Sequence, residues 1–282
     1  MNVGQLILNA LGLRNDTRVP YPARHDHRAE PHLVPIGRDI EAGWTNYWDM
    51  RRQPHALIAG TSNGGKTILQ YAILRHWVDS GAFARIAVCD PKMVDFLAAK
   101  HLPGVGLYVT LPEIAAAVRG FRNASDQRYE RTFAAGRRNY IDEIILNEGR
   151  LGLLVDEIQD VTLKEAGLTK GSEDWEINQL RQQISTDLRL AGSKGRASGA
   201  HLALATQHPS VDVVTTGIKA VTEFRCYFRT DETAANMVLH APAAASLPDI
   251  PGRALVGPRG ILRETQVFLT EPDEFDTWAA SR

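Results

Sequence analysis

From residue 54 onward, short apolar runs alternate with longer stretches whose apolar residues recur at helical spacing. Ala56–Ala59, Arg85–Cys89, Leu151–Val155, His201–Ala205 and Phe224–Phe228 are short and mostly apolar, the pattern of strands buried on both faces. Between them the spacing predicts helices near Thr67–Asp79, Pro112–Tyr140 and Glu176–Ser193, and Arg253–Val256 and Glu264–Leu269 read as two closing strands. Such alternation predicts an α/β fold, a central mostly parallel sheet flanked by helices. Val3, Leu6, Ile7, Ala10 and Leu11 fit a short amphipathic helix over 3–13, packed on its own domain or on a partner. Asn15–Pro35, rich in Pro, Arg and His, reads as a linker or arm, so the expected division is 1–30 and one domain over 31–282. The polar stretch Thr162–Asp174 reads as an exposed loop.

At 282 residues, 44% hydrophobic and 23% charged, the chain has the composition of a globular protein with a sizeable core. Its net charge of -1 gives no overall attraction to nucleic acid, so any such contact needs a local basic patch. Cys89 and Cys226 fall inside strand patterns without metal-ligand spacing, and read as reduced core residues of a cytoplasmic protein. His25, His27 and His32 share a loop with no cysteine partner and read as solvated. No run of about 18 apolar residues predicts a membrane span.

Chemistry enters at Gly60-Thr61-Ser62-Asn63-Gly64-Gly65-Lys66-Thr67, which fits GxxxxGK[ST] between a predicted strand and a predicted helix. Glycines let backbone N–H groups turn toward phosphates, and the helix N-terminus adds its positive dipole end. Lys66 then reaches the β and γ phosphates of ATP, while the Thr67 hydroxyl ligates Mg2+. Leu151–Val155 runs into Asp156 and Glu157. Beside a phosphate loop, Asp156 suits the Mg2+ site and Glu157 suits a general base toward water; alone, the pair would also suit a helix N-terminus. His201–Ala205 runs into Thr206 and Gln207. Pattern alone leaves Gln207 between a loop cap and a side chain that touches both γ-phosphate and attacking water.

Longer segments carry a resemblance. Pro54–Gly60, Asp90-Pro91-Lys92-Met93-Val94-Asp95, Leu154–Glu157, Arg196–Thr215, Pro35–Ile40 and Leu247–Ala254 together resemble the motor domain of the FtsK/SpoIIIE family of DNA translocases, over roughly Pro31 to Phe268. The resemblance implies a RecA-like P-loop ATPase that forms a homohexameric ring around double-stranded DNA, with ATP and Mg2+ between subunits. It implies that Arg196, or failing that Arg225, reaches into a neighbour's site, and that His208 and Lys219 meet the DNA backbone. Asn63 and Gly64 stand where the family usually has Gly and Ser, and His208 where it usually has Arg. The reading is of a stripped motor, without membrane spans or a winged-helix domain, of the kind phages and mobile elements carry. The alternative is a related ATPase that moves another polymer or complex, of the type VII secretion or conjugative coupling kind.

Overall fold

The computed structural model describes residues 18–22, 26–137, 140–165 and 170–282. The helix expected over 3–13, His25, and residues 166–169 of the expected loop lie outside the described residues. The strands are β1 (Val19–Pro20), β2 (Leu33–Asp39), β3 (Thr45–Asp49), β4 (His55–Ala59), β5 (Phe83–Cys89), β6 (Val105–Tyr108), β7 (Arg150–Val155), β8 (Ala200–Thr206), β9 (Phe224–Phe228), β10 (Arg253–Pro258) and β11 (Arg263–Leu269). The helices are α1 (Lys66–Asp79), α2 (Leu111–Ala135), α3 (Tyr140–Glu148), α4 (Ile158–Thr162), α5 (Glu173–Ser198), α6 (Thr216–Val221) and α7 (Pro272–Ala280).

Every residue of β4, β7, β8 and β9 is buried, which is why these strands read as continuous apolar runs. They lie inside one sheet of order β3-β2-β11-β10-β9-β4-β8-β7-β5-β6, with β1 beside β11. From β9 through β6 all pairings are parallel, and from β10 through β3 all are antiparallel. The pleat sends alternate side chains to opposite faces. Leu57, Leu153, Leu202 and Leu204 join one core with Ile114 and Val118 of α2 and Ile184 and Leu188 of α5. Ile58, Leu154, Ala203 and Cys226 join the other with Leu69, Ile73 and Trp77 of α1 and Phe275 of α7. Cys89 and Cys226 are buried free thiols, as expected.

Register brings the functional segments together. Ala59 pairs with Thr206, Val155 with Leu204, and Cys89 with Val155, so the parallel strands end along one edge. Beyond that edge lie the phosphate loop, Asp90, Asp156 and Gln207, in the crevice where α/β sheets place their ligands.

Three sequence expectations need correction. The helix predicted over Pro112–Tyr140 stops at Ala135, because Gly136 closes it in the left-handed conformation, at φ 63°, and α3 begins afresh. The expected loop Thr162–Asp174 is shorter, since Thr162 ends α4 and α5 starts at Glu173 with Ser172 as its cap. His27 is not simply solvated: its ring stacks on Tyr21 and its Nδ1 lies 2.8 Å from Nδ1 of His76.

Candidate active site

The phosphate loop is shaped by what lies beneath it. Phe228, the last residue of β9, sits so close that a Cβ on Gly60 would fall 2.6 Å from its own Cβ. Gly60 also takes φ 152° and Gly65 φ 110°, conformations closed to most side chains. Asn63 adopts the left-handed region at φ 61°, which asparagine tolerates better than most residues, so its departure from the usual glycine is sterically sound. The Thr61 N–H donates to the Arg229 carbonyl, and the Gly252 N–H donates to the Gly64 carbonyl, which pins both arms of the loop.

Gly65 caps α1 without a side-chain hydrogen bond, and the first turn carries no acidic residue. The opening N–H groups of α1 therefore keep the partial positive charge that binds anions. Lys66 Nζ donates to the Thr61 carbonyl at 2.9 Å and so closes over the loop. Burial lowers its pKa from the ordinary value, with Glu157 and Asp156 opposing. A buried ammonium beside a cradle of backbone N–H groups fits a polyphosphate.

Asp156 is buried, and Gln70 Nε2 of α1 donates to its Oδ1 at 2.7 Å. Burial pushes this carboxyl up to about 6, opposed by the Gln70 hydrogen bond. A buried carboxylate lifted this way gains from a cation beside it, and Thr67 opens the adjoining helix, so the pair fits a Mg2+ ion.

Glu157 is held in a left-handed backbone conformation, φ 49° and ψ 64°, just after β7. Its Oε1 accepts from Lys92 Nζ at 2.9 Å, and its Oε2 accepts from Gln159 Nε2 at 2.7 Å and from the Gln207 N–H at 2.9 Å. Burial pushes this carboxyl up, but the three donors outweigh it and hold the pKa below the ordinary value. Gln207 reaches the phosphate loop as well, since Ser62 Oγ donates to its Oε1 at 2.7 Å. The glutamine strand thus touches the loop with its side chain and Glu157 with its backbone. Thr206 Oγ1 donates to Gln159 Oε1 at 2.7 Å and fixes the amide that holds Glu157.

Sequence reasoning missed Gln70, Lys92 and Gln159. Gln70 lies one helical turn after Lys66, so its face was legible while its partner was not. Lys92 belongs to a segment singled out for its resemblance, without a role. It sits on a turn built by the buried Asp90, whose Oδ1 accepts from the N–H groups of Lys92 and Met93 and whose Oδ2 accepts from those of Val94, Asp95 and Phe96.

Of the remaining expected residues only His208 adjoins this cluster, its N–H donating to Thr206 Oγ1 at 3.1 Å. Arg196 is exposed near the end of α5, where its guanidinium donates to the Arg52 carbonyl at 2.6 Å and lies 3.5 Å from Glu223. It precedes β8, whose far end faces the phosphate loop, a span of roughly 20 Å. Arg225 is buried, with its guanidinium spent on Thr222 Oγ1 and the Lys219 carbonyl. Lys219 shares with Arg225, His240 and Arg259 the wall of a cavity of about 540 Å³, whereas His208 lies exposed on the segment leaving β8. Among the described residues no cluster of His, Cys, Asp and Glu forms a metal site of its own, and no helix is long and apolar enough to cross a membrane.

No family model matches the chain. The chain is 30% identical over 284 aligned positions to the DNA translocase FtsK of Streptomyces avermitilis, an alignment that covers 91% of this chain and 29% of that protein. It therefore spans less than a third of the curated relative it matches. The conjugation coupling protein TcpA of pCW3, solved as a monomer with ATPgS, superposes with a TM-score of 0.81 at 20% identity, over 95% of this chain and 75% of that one. The cytoplasmic domain of the type VII secretion ATPase EccC of Thermomonospora curvata superposes with a TM-score of 0.68 at 20% identity, over 97% of this chain and 34% of that one. Over nine-tenths of its length the chain is a homologue of the FtsK DNA translocases, and its fold is that of the P-loop ATPases.

Proposed function

We propose that the protein hydrolyses ATP and uses the energy to move double-stranded DNA. The observation that carries this reading is the linked set on one sheet edge: Lys66 over the phosphate loop, Asp156 bonded to Gln70 of the helix that follows the loop, and Glu157 bonded to Gln207, which is bonded in turn to Ser62 of the loop. Lys66 and the backbone of Gly60–Thr67 bind the phosphates. Thr67 and Asp156 would hold Mg2+, which would supply charge neutralisation on the phosphates. Glu157 orients the attacking water and accepts its proton, and Gln207 reports the state of that site to the segment leaving β8.

Similarity to FtsK supports DNA as the polymer. A ring of identical subunits is part of this reading, with Arg196 as the residue supplied in trans. It stands across the sheet from its own phosphate loop, so it can stabilise phosphoryl charge only at a neighbour's. His208 and Lys219 remain the proposed DNA contacts. The names of the two solved relatives point to conjugation and to secretion as alternatives. The test is displacement of a third strand from a DNA triplex. The proposed motor strips it in an ATP-dependent way, and the Glu157→Gln protein does not. ATP turnover without displacement on any duplex length would assign the motor to another polymer.

A further inference from the structure

The contact between Lys92 and Glu157 has a consequence for regulation. Glu157 Oε1 faces an ammonium at 2.9 Å, in a pair whose glutamate side chain is 6% exposed and whose lysine side chain is 38% exposed. Its Oε2 is already taken by Gln159 and the Gln207 N–H. A water placed for attack must be bound by a carboxylate oxygen with room to accept its hydrogen bond. In this geometry Oε2 is filled by two donors, and Oε1, with one lone pair left, is paired to the strongest of the three partners, a cation that draws off the negative charge a water's proton would need.

The three partners differ in how readily they leave. The Gln207 N–H belongs to the main chain just past a buried strand, and Gln159 is buried and anchored by Thr206. Lys92 hangs by a flexible stem from a turn whose backbone is fixed by Asp90 and whose tip exposes Met93 and Val94. The lysine can therefore swing away without unfolding anything, while the other two hold Glu157 in place.

We propose that Lys92 is a positioning residue that restrains the base: it pairs with Glu157 in the resting subunit, and its withdrawal frees Oε1 for the attacking water. The inference rests on the reading of Glu157 as the base. It gives the motor low idle turnover, with hydrolysis released when the Lys92 side chain is drawn off Glu157.

The test compares Lys92→Met, Lys92→Arg and Glu157→Gln by ATP turnover without DNA. Lys92→Met removes the cation with little change in length, so kcat rises several-fold while KM for ATP and the melting temperature stay at parent values, because the turn depends on Asp90. Lys92→Arg keeps a cation in reach of Glu157 and restores the low basal rate. A structural role for Lys92 would instead lower the melting temperature and leave the arginine variant no better than the methionine one. Unchanged or reduced kcat in Lys92→Met, with Glu157→Gln inactive, overturns the restraint and leaves the base intact. Parent-level turnover in Glu157→Gln overturns the base, and the restraint with it.

Discussion

Lys66, Asp156 and Glu157 divide the work of the site by environment. Lys66 is a buried cation beside two acids, Asp156 a carboxylate lifted by burial, and Glu157 one held down by three donors. Lys66→Ala should abolish ATP binding, measured by calorimetry or a fluorescent analogue. Glu157→Gln should keep binding and lose about 10²–10⁴-fold in kcat, the cost of an aligned proton acceptor. Parent-rate hydrolysis by Glu157→Gln would remove the base assignment. The phosphate loop was legible because it is contiguous: eight residues carry the whole cradle. The positions of Asp156, Glu157 and Gln207 at the sheet edge were legible because they follow buried strands, while pattern alone left the role of Gln207 open. Lys92 and Gln159 were not, because their roles arise from contacts across strands that no local spacing encodes.

The sheet shows the same division at the scale of elements. Central strands announced themselves as apolar runs because both faces are covered. Thr45–Asp49 and Val105–Tyr108 did not, since they are the outer strands β3 and β6, with half-exposed positions and a weaker apolar signal. His55 opens β4 and shows how tightly that strand is fixed. The Leu202 N–H donates to its Nδ1 at 3.0 Å, so its Nε2 carries the proton and donates to the Gly192 carbonyl at 2.9 Å. Burial lowers its pKa to about 4, against the Gly192 hydrogen bond. The unfolded chain takes up this proton near pH 6.5 while the folded chain resists it to about pH 4. Stability is therefore full above pH 6.5 and falls with acidification, by about 3 kcal/mol over that window. Thermal melts across pH 4–7 should show this loss, and His55→Gln should reduce it, leaving the share of His201, whose pKa burial also lowers well below the ordinary value. An equal acid slope in the variant would assign the loss to other groups.

At the scale of the molecule, the proposed ring turns on Arg196, which bonds to the Arg52 carbonyl and precedes β8, the strand whose far end meets the phosphate loop. In a ring, Arg196→Ala should bind ATP normally and lose about 10³–10⁵-fold in hydrolysis, as for an arginine supplied in trans. Mixing Arg196→Ala with Glu157→Gln subunits creates some interfaces that carry both intact groups, so turnover should partly recover. No recovery at any ratio, in a mixture shown by mass photometry to co-assemble, would contradict a shared site. The central claim is that hydrolysis on the β4–β8–β7 edge is coupled to duplex DNA. It is tested most directly by steady-state ATP turnover of the purified protein with and without linear double-stranded DNA, at low salt where phosphate contacts are strongest. The account predicts slow turnover alone, marked stimulation by DNA of any sequence that weakens as salt is raised, and none in Glu157→Gln. Turnover indifferent to DNA across that salt range would contradict it.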